Sequence, residues 1–448
     1  MKTNQPSKLR KFIERPNNAL VTIFLCVVYI WTIIHTYDFQ IAEANTYAGM
    51  QSWEMTIANW ICLSIIVPTI AVVISRLKGN PSDFFLIFYS FIPVFSFYSL
   101  ISTSGKISDD LLLSSFVIIL FPLLALLVVK NFMPKIKWRG FISAKIIDQA
   151  LLGILFLVVS YSYFNSPLSA GFDIDSSYER RLEGRDIYIA GSLIAYALAM
   201  CLNGLAPYLA FRSAFTRKNS LITISLCATI FFYWLLGVKA PFFYVTIAYV
   251  VGYLMRIKKI KYFSKYFILG IILLYIIVSI EWLFFDGYSL IADYGFRRLF
   301  PVQAEVQGFY LDFLLVNTPS FWNFLIGVSD QSFAATYYIG INYLGNPDSN
   351  VNTNAFLYAF MANGFLGYLF ATLFISIFLV VLDRLYQSTK NPTYILIGFV
   401  YGYLLSEQAF TTAMVSSGVG LLFLLTLFEK NDIRIGCGSV KLIKRDIV

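Results

Sequence analysis

Charge is scarce in this chain: Asp, Glu, Lys and Arg together make up 13% of its 448 residues, about half the share found in a soluble domain. A water-exposed globule of this length is thereby excluded. Histidine is represented by His35 alone, so no set of imidazoles exists to hold a transition metal, and no metal is expected. Of the five cysteines, Cys26, Cys62, Cys201 and Cys227 fall inside apolar runs and Cys437 in the C-terminal tail. That distribution offers neither an exported disulfide pair nor a metal-binding spacing. No Gly-x4-Gly-Lys-Ser/Thr loop and no Rossmann fingerprint occurs, which removes the familiar nucleotide sites and leaves no cofactor to expect. The basic N-terminus, with Lys8, Arg10, Lys11 and Arg15 before an apolar run, lacks a following small-residue cleavage site and is expected to be a retained anchor.

What fills the chain instead is apolar: 58% hydrophobic residues and a mean hydropathy of +0.71. A bilayer core about 30 Å thick takes about 20 apolar residues per helix. Twelve segments qualify, at 19–35, 55–75, 84–102, 111–129, 149–164, 187–211, 221–238, 242–255, 266–285, 355–382, 393–410 and 413–428. The eighth is short, and only a tight turn separates the last two. Continuous runs rather than period-2 alternation argue against strands. The expected fold is all-α and polytopic, a single membrane domain over 1–448.

Basic residues in short loops stay cytoplasmic, and 27 of the 34 Lys and Arg fall on one set of alternate connections together with both termini. Both termini are therefore expected inside. The net charge of +9 is a topology signal with added attraction to anionic lipid, and no nucleic-acid partner is needed to explain it. The seven outlying cations are Lys106, Arg180, Arg181, Arg185, Lys239, Arg297 and Arg298. All five arginines among them lie in two outer loops.

The first of these loops, at 165–186, interleaves its arginines with Asp173, Asp175, Glu179, Glu183 and Asp186. The second, at 286–354, is far longer and rich in aromatics, Phe309, Tyr310, Phe313, Phe321, Trp322 and Phe333 among them. Loops of such length are usually functional. Its apolar stretches 309–316 and 320–328 are too short to span and are expected to lie in the membrane interface as part of a lid. It closes on a polar run from Asn346 to Asn354, where Asn352 and Asn354 are candidate substrate contacts.

The two arginine segments read alike. Arg180-Arg181-Leu182 is followed by Gly191 and Arg297-Arg298-Leu299 by Gly308, with ten residues between the first arginine and the glycine in each. Arginine suits phosphate because its planar guanidinium donates two parallel hydrogen bonds and stays charged. Two such clusters near the headgroups can grip a lipid-linked diphosphate; the plain alternative is a solvated charge cluster paired with neighbouring acids. Lys239, in the turn Gly237-Val238-Lys239-Ala240-Pro241, is either a third cation of that pocket or a snorkelling lysine. Glu281 and Glu407, near outer helix ends, are either part of a site or structural ion-pair members. A hydroxyl nucleophile needs a base, and Asp286, Asp293, Glu305, Glu179 and Glu183 are candidates that sequence does not rank. His35 is expected to be an interfacial residue.

Two outer loops that each carry an arginine, ten residues and a glycine resemble the motif of the O-antigen polymerases, multi-pass bacterial enzymes that join oligosaccharide repeat units in the periplasm. The segment from Asn354 through Gly364 to Gly367, entering the tenth helix after the large loop, is similar to the wider polymerase and ligase group. The resemblance implies the membrane glycosyltransferase C-type architecture and a metal-independent transfer in the inner membrane. Both donor and acceptor would be undecaprenyl-diphosphate-linked oligosaccharides, the product an O-antigen or related surface polysaccharide, and a flippase and a chain-length regulator the partners. Arg180, Gly191, Arg297 and Gly308 carry over by the motif; Arg181, Arg185 and Arg298 are added from charge. An O-antigen ligase would want a histidine in the large outer loop, which this one lacks. A flippase or transporter would want cations within its central cavity. A metal-dependent transferase would want acids in the first outer loop, where Asp38 and Glu43 stand without a clear paired motif.

Overall fold

In lipid the backbone must satisfy its own hydrogen bonds, so long apolar runs become helices. The computed structural model describes residues 19–52, 54–101, 109–173, 176–189, 191–285, 287–316, 320–327, 335–347 and 349–430. Lys8, Arg10, Lys11, Arg15, Lys106, Asp175, Asp286, Phe333, Asp348 and Cys437 lie outside them. Among the described residues the fold is helical, with no strand beyond a single bridge between Ile142 and Glu429. Nine helices among the described residues are long and apolar enough to cross a membrane, and three shorter apolar helices stand at Ala240–Arg256, Thr393–Leu404 and Val419–Phe428. The chain is an all-α, multi-pass membrane protein.

The helices used below are α1 (Ala19–Thr36), α2 (Ile57–Ser75), α3 (Pro81–Leu100), α4 (Asp110–Phe132), α5 (Ala144–Phe164), α6 (Ser177–Ile187), α7 (Leu193–Thr216), α8 (Asn219–Leu236), α9 (Ala240–Arg256), α10 (Phe263–Phe284), α11 (Pro301–Leu315), α12 (Phe321–Ile326), α13 (Ala335–Leu344), α14 (Ala355–Thr389), α15 (Thr393–Leu404), α16 (Phe410–Val415) and α17 (Val419–Phe428). Three expected boundaries move. The segment expected at 187–211 starts at Leu193, because α6 ends at Ile187 and Gly191 turns the chain at φ +88. Gly191 thus sits in a turn and not within a helix. The final pair of segments becomes three helices, because Gly418 adopts φ +77 between α16 and α17. Finally, α1 does not stop near His35 but runs on through a π turn, Tyr37–Ala42, and a 3-10 turn, Glu43–Ala48.

The core sits around α3, whose residues Pro81–Leu100 are all buried, packed against α14 and α15. Contacts between turns define two ends of the bundle. At one end Lys130 bonds to Asp83 at 2.8 Å and lies 3.3 Å from Asp383, which accepts from the Ser82 amide and hydroxyl. Nearby turns join it through Asp148 and Arg212, and through Asn391 and Glu429. At the other end lie α6, the turn between α8 and α9, and the long segment after α10.

That long segment is built differently from the expected interfacial lid. Phe309, Tyr310 and Phe313 are buried, and α11 packs against the last turns of α3 and against α14. The stretch 309–316 is therefore mostly part of a core helix, because its apolar residues cover more than one helical face and find partners all round. Exposed aromatics remain on α12, at Phe321 and Trp322, and in the approach to Arg297, at Tyr288 and Tyr294. Helix α12 is pinned to α14 where Asn363 and Gly364 interrupt the latter; a Cβ on Gly364 would stand 2.4 Å from the Gly327 nitrogen.

Candidate functional site

The end of the bundle opposite Lys130 gathers cations from three separate segments. Helix α6 is a polar helix on the surface of the bundle, and its arginines are sorted by helical phase. Arg180 turns inward and is fully buried: it donates from Nη1 to the Ser176 hydroxyl at 2.6 Å and from Nη2 to the Asp173 carbonyl at 2.7 Å, and lies over the Tyr233 ring. One residue on, about 100° around the helix, Arg181 points elsewhere. Its Nη2 donates to the Gly237 carbonyl at 3.3 Å, and its Nε is buried without a partner among the described residues. Arg185 follows one turn later on the same side and is exposed.

Gly237 supplies that carbonyl because the α8–α9 turn lies directly on α6. It adopts φ +63, and a Cβ there would come within 2.6 Å of the Ser177 carbonyl oxygen. Two residues later Lys239 places its ammonium 4.4 Å from the centre of the Tyr294 ring. Tyr294 belongs to the π turn Ala292–Phe296, which runs straight into Arg297 and Arg298. The same division of labour recurs there. Arg297 is tied to Asp293, Nε to Oδ1 at 2.7 Å, whereas Arg298 is exposed and close enough to Arg181 to act on it. Burial, then the positive charges of Arg298 and Arg185, push the guanidinium pKa of Arg181 down. Among the described residues no carboxylate pairs with Arg181, Arg185 or Arg298.

Two of the acids near the cluster, Glu183 and Glu281, are occupied elsewhere. Glu183 accepts from the Ser169 hydroxyl at 2.6 Å and from its amide, and these bonds lower its pKa. Glu281 accepts from the Ser289 hydroxyl at 2.5 Å and the Ile291 amide, fixing the segment that leads to Arg298. Glu305 lies on α11 beside a small pocket bounded by Tyr37, Gly49, Met50 and Pro301. Glu407, in the turn after α15, accepts from the Tyr403 hydroxyl at 2.7 Å with one oxygen; its other oxygen carries no hydrogen bond among the described residues. The Tyr403 ring packs 5.5 Å from Phe243, one turn along α9 from Lys239, which places Glu407 below the cation cluster.

The remaining sequence candidates are distributed as follows. Asn354 is buried and caps α14, its Oδ1 accepting from the Phe356 and Leu357 amides and its Nδ2 donating to Gln307. Its amide is engaged at both ends. Asn352 is exposed. Gly308 is buried within α11, so the two motif glycines do different things, one in a turn and one in a packed helix. His35 bonds through Nδ1 to the Tyr275 hydroxyl at 3.2 Å and stacks on Phe39. The convergence of Arg181, Arg185 and Arg298 was readable only in part. A basic pair four residues apart on a polar helix marks one face, but nothing local predicts that Arg298 meets it.

No family model matches this chain, and no curated protein or solved structure matches it.

Proposed function

We propose that this chain is an oligosaccharide repeat-unit polymerase of the bacterial inner membrane, with about twelve spans, both termini cytoplasmic and its site facing the periplasm. The observation that carries the reading is the convergence of Arg181, Arg185 and Arg298 with no carboxylate paired to them among the described residues. Such a cluster raises the free energy of the empty protein and is relieved by a multiply charged anion. A lipid diphosphate suits the place, since its chain lies in the bilayer and its phosphates at the headgroup level. An acceptor hydroxyl on one lipid-linked repeat unit attacks the anomeric carbon of the other glycan. The bond from that carbon to the diphosphate oxygen breaks, and the arginines stabilise the charge that grows on the leaving group. Lys239 stands beside the same cluster. Glu407, with an oxygen open, is the carboxylate best placed to receive the hydroxyl proton.

The test is deletion of the gene followed by complementation. Deletion is expected to leave surface glycan one repeat unit long. The intact chain restores the ladder, while Arg181→Ala and Arg298→Ala do not, at normal protein level. A full ladder from both variants would remove the arginines from the mechanism. Tags in 320–327 that prove cytoplasmic would overturn the orientation and the reading with it.

A further inference from the structure

A cleft of about 600 Å³ opens between α1 and α2. Its walls are apolar, with Val27, Trp31 and Ile34 from α1 facing Trp60, Ser64 and Val67 from α2, and its only ionisable residues, His35 and Asp38, stand at one end. From Val27 to Asp38 the cleft follows α1 for about 17 Å, a little over half of a bilayer core about 30 Å thick. It runs from the arginine end of the bundle to about mid-membrane. Its apolar walls and this length suit a hydrocarbon chain lying along α1.

The polar end of the cleft stands at the depth of the cations. Beyond His35, α1 continues into the Tyr37–Ala42 turn, which packs against Ala292–Phe296, and Arg297 and Arg298 follow without a break. Deeper in the membrane Tyr29, on the face of α1 turned away from the cleft, meets Phe300 edge to face at 6.1 Å, so the arginine segment runs along α1 at the depth of the cleft. His35 is positioned by Tyr275 and Phe39, and its Nε2 has no partner among the described residues. A chain lying in the cleft thus carries its polar end to the level of Arg298, past an imidazole with a free nitrogen.

We propose that the α1–α2 cleft is the seat of the isoprenoid chain of one lipid-linked substrate. The proposal rests on the polymerase reading, which supplies a polyprenyl diphosphate as ligand. Three or four isoprene units nearest the diphosphate fill the length of the cleft, and the rest of the chain passes into the bilayer. Ser64, exposed on the cleft wall with its hydroxyl bonded to the Ile61 carbonyl, is the position at which a larger side chain fills the cleft without entering the core.

The experiment uses the full chain in lipid nanodiscs and an undecaprenyl diphosphate carrying a photoreactive diazirine in its first isoprene units. Label is expected within 27–39 and 60–68, to be displaced by unlabelled undecaprenyl diphosphate and not by equal phosphatidylglycerol. Ser64→Trp, and separately the milder Ser64→Leu, should cut labelling several-fold and raise KM for lipid-linked substrate with kcat little changed. Labelling elsewhere, equal displacement by phosphatidylglycerol, or labelling unaffected by both variants would overturn the proposal while leaving a glycan ladder, and the polymerase reading, intact. Labelling of the cleft by a chain that makes no ladder would uphold the chain site and sink the polymerase.

Discussion

Burial, and then Arg298 from a different loop more than a hundred residues along the chain, depress the pKa of Arg181. Two like charges held at this range, one of them half-buried, are a standing cost to the empty fold.

Removing either arginine should therefore stabilise the ligand-free protein. Arg181→Ala and Arg298→Ala are each expected to raise its melting temperature by about 1–2 °C while abolishing the stabilisation that undecaprenyl diphosphate gives the intact chain. Thermal unfolding in detergent with and without the lipid reads both effects. Variants that melt lower, or that still respond to the lipid, contradict the cluster's role.

Arg180 behaves in the opposite way. Its guanidinium is fully buried and holds the Asp173 carbonyl and Ser176 hydroxyl. Arg180→Ala leaves these groups without their donors and should cost about 1–3 kcal/mol. Lower protein yield and faster proteolysis near Asp173 are expected, with the remaining activity in proportion to the remaining protein. A stable but inactive Arg180→Ala would return this residue to the site.

Gly364 has φ 64 and ψ −167, a region almost closed to residues with a Cβ, and the backbone of Ile326 and Gly327 fills the space beside it. Gly364→Ala should cost at least about 2 kcal/mol and release α12 from α14. Limited proteolysis within 320–327, absent in the intact chain, is the readout.

Glu183 supplies a pH dependence of known sign. Its folded pKa lies below the ordinary carboxylate value because of the two bonds from Ser169. The stability it contributes is present above the unfolded pKa of about 4.3 and is lost as pH falls through the lower folded value. The melting temperature of the intact chain should fall more steeply than that of Glu183→Gln over that acidic window. Parallel curves would dismiss the contact.

Helix was legible because an apolar run long enough for a bilayer has few alternatives to it, and nine helices among the described residues are long and apolar enough to cross. The segment at α9 was expected to be short and is; those at α15 and α17 are shorter than expected. The site was less legible. The repeated Arg-Arg pair marked both segments, yet phase within α6 and an ion pair to Asp293 decide which arginine of each pair remains available. Likewise the aromatics at 309–313 carry no sign that α11 is enclosed on all sides. That follows from tertiary packing with α3 and α14, which a local pattern does not encode.

The Lys130 clamp bears on what kind of machine this is. One ammonium joins Asp83 on α3 and Asp383 on α14 from its own place on α4, and the Ser82 hydroxyl completes the knot. Separating these three helices would strip a largely buried charge of its partners, at a cost on the order of 3 kcal/mol. A carrier whose alternating access parted these helices would meet that barrier in every cycle. A catalyst that takes in substrate and releases product on the arginine side alone can leave the knot tied throughout its turnover.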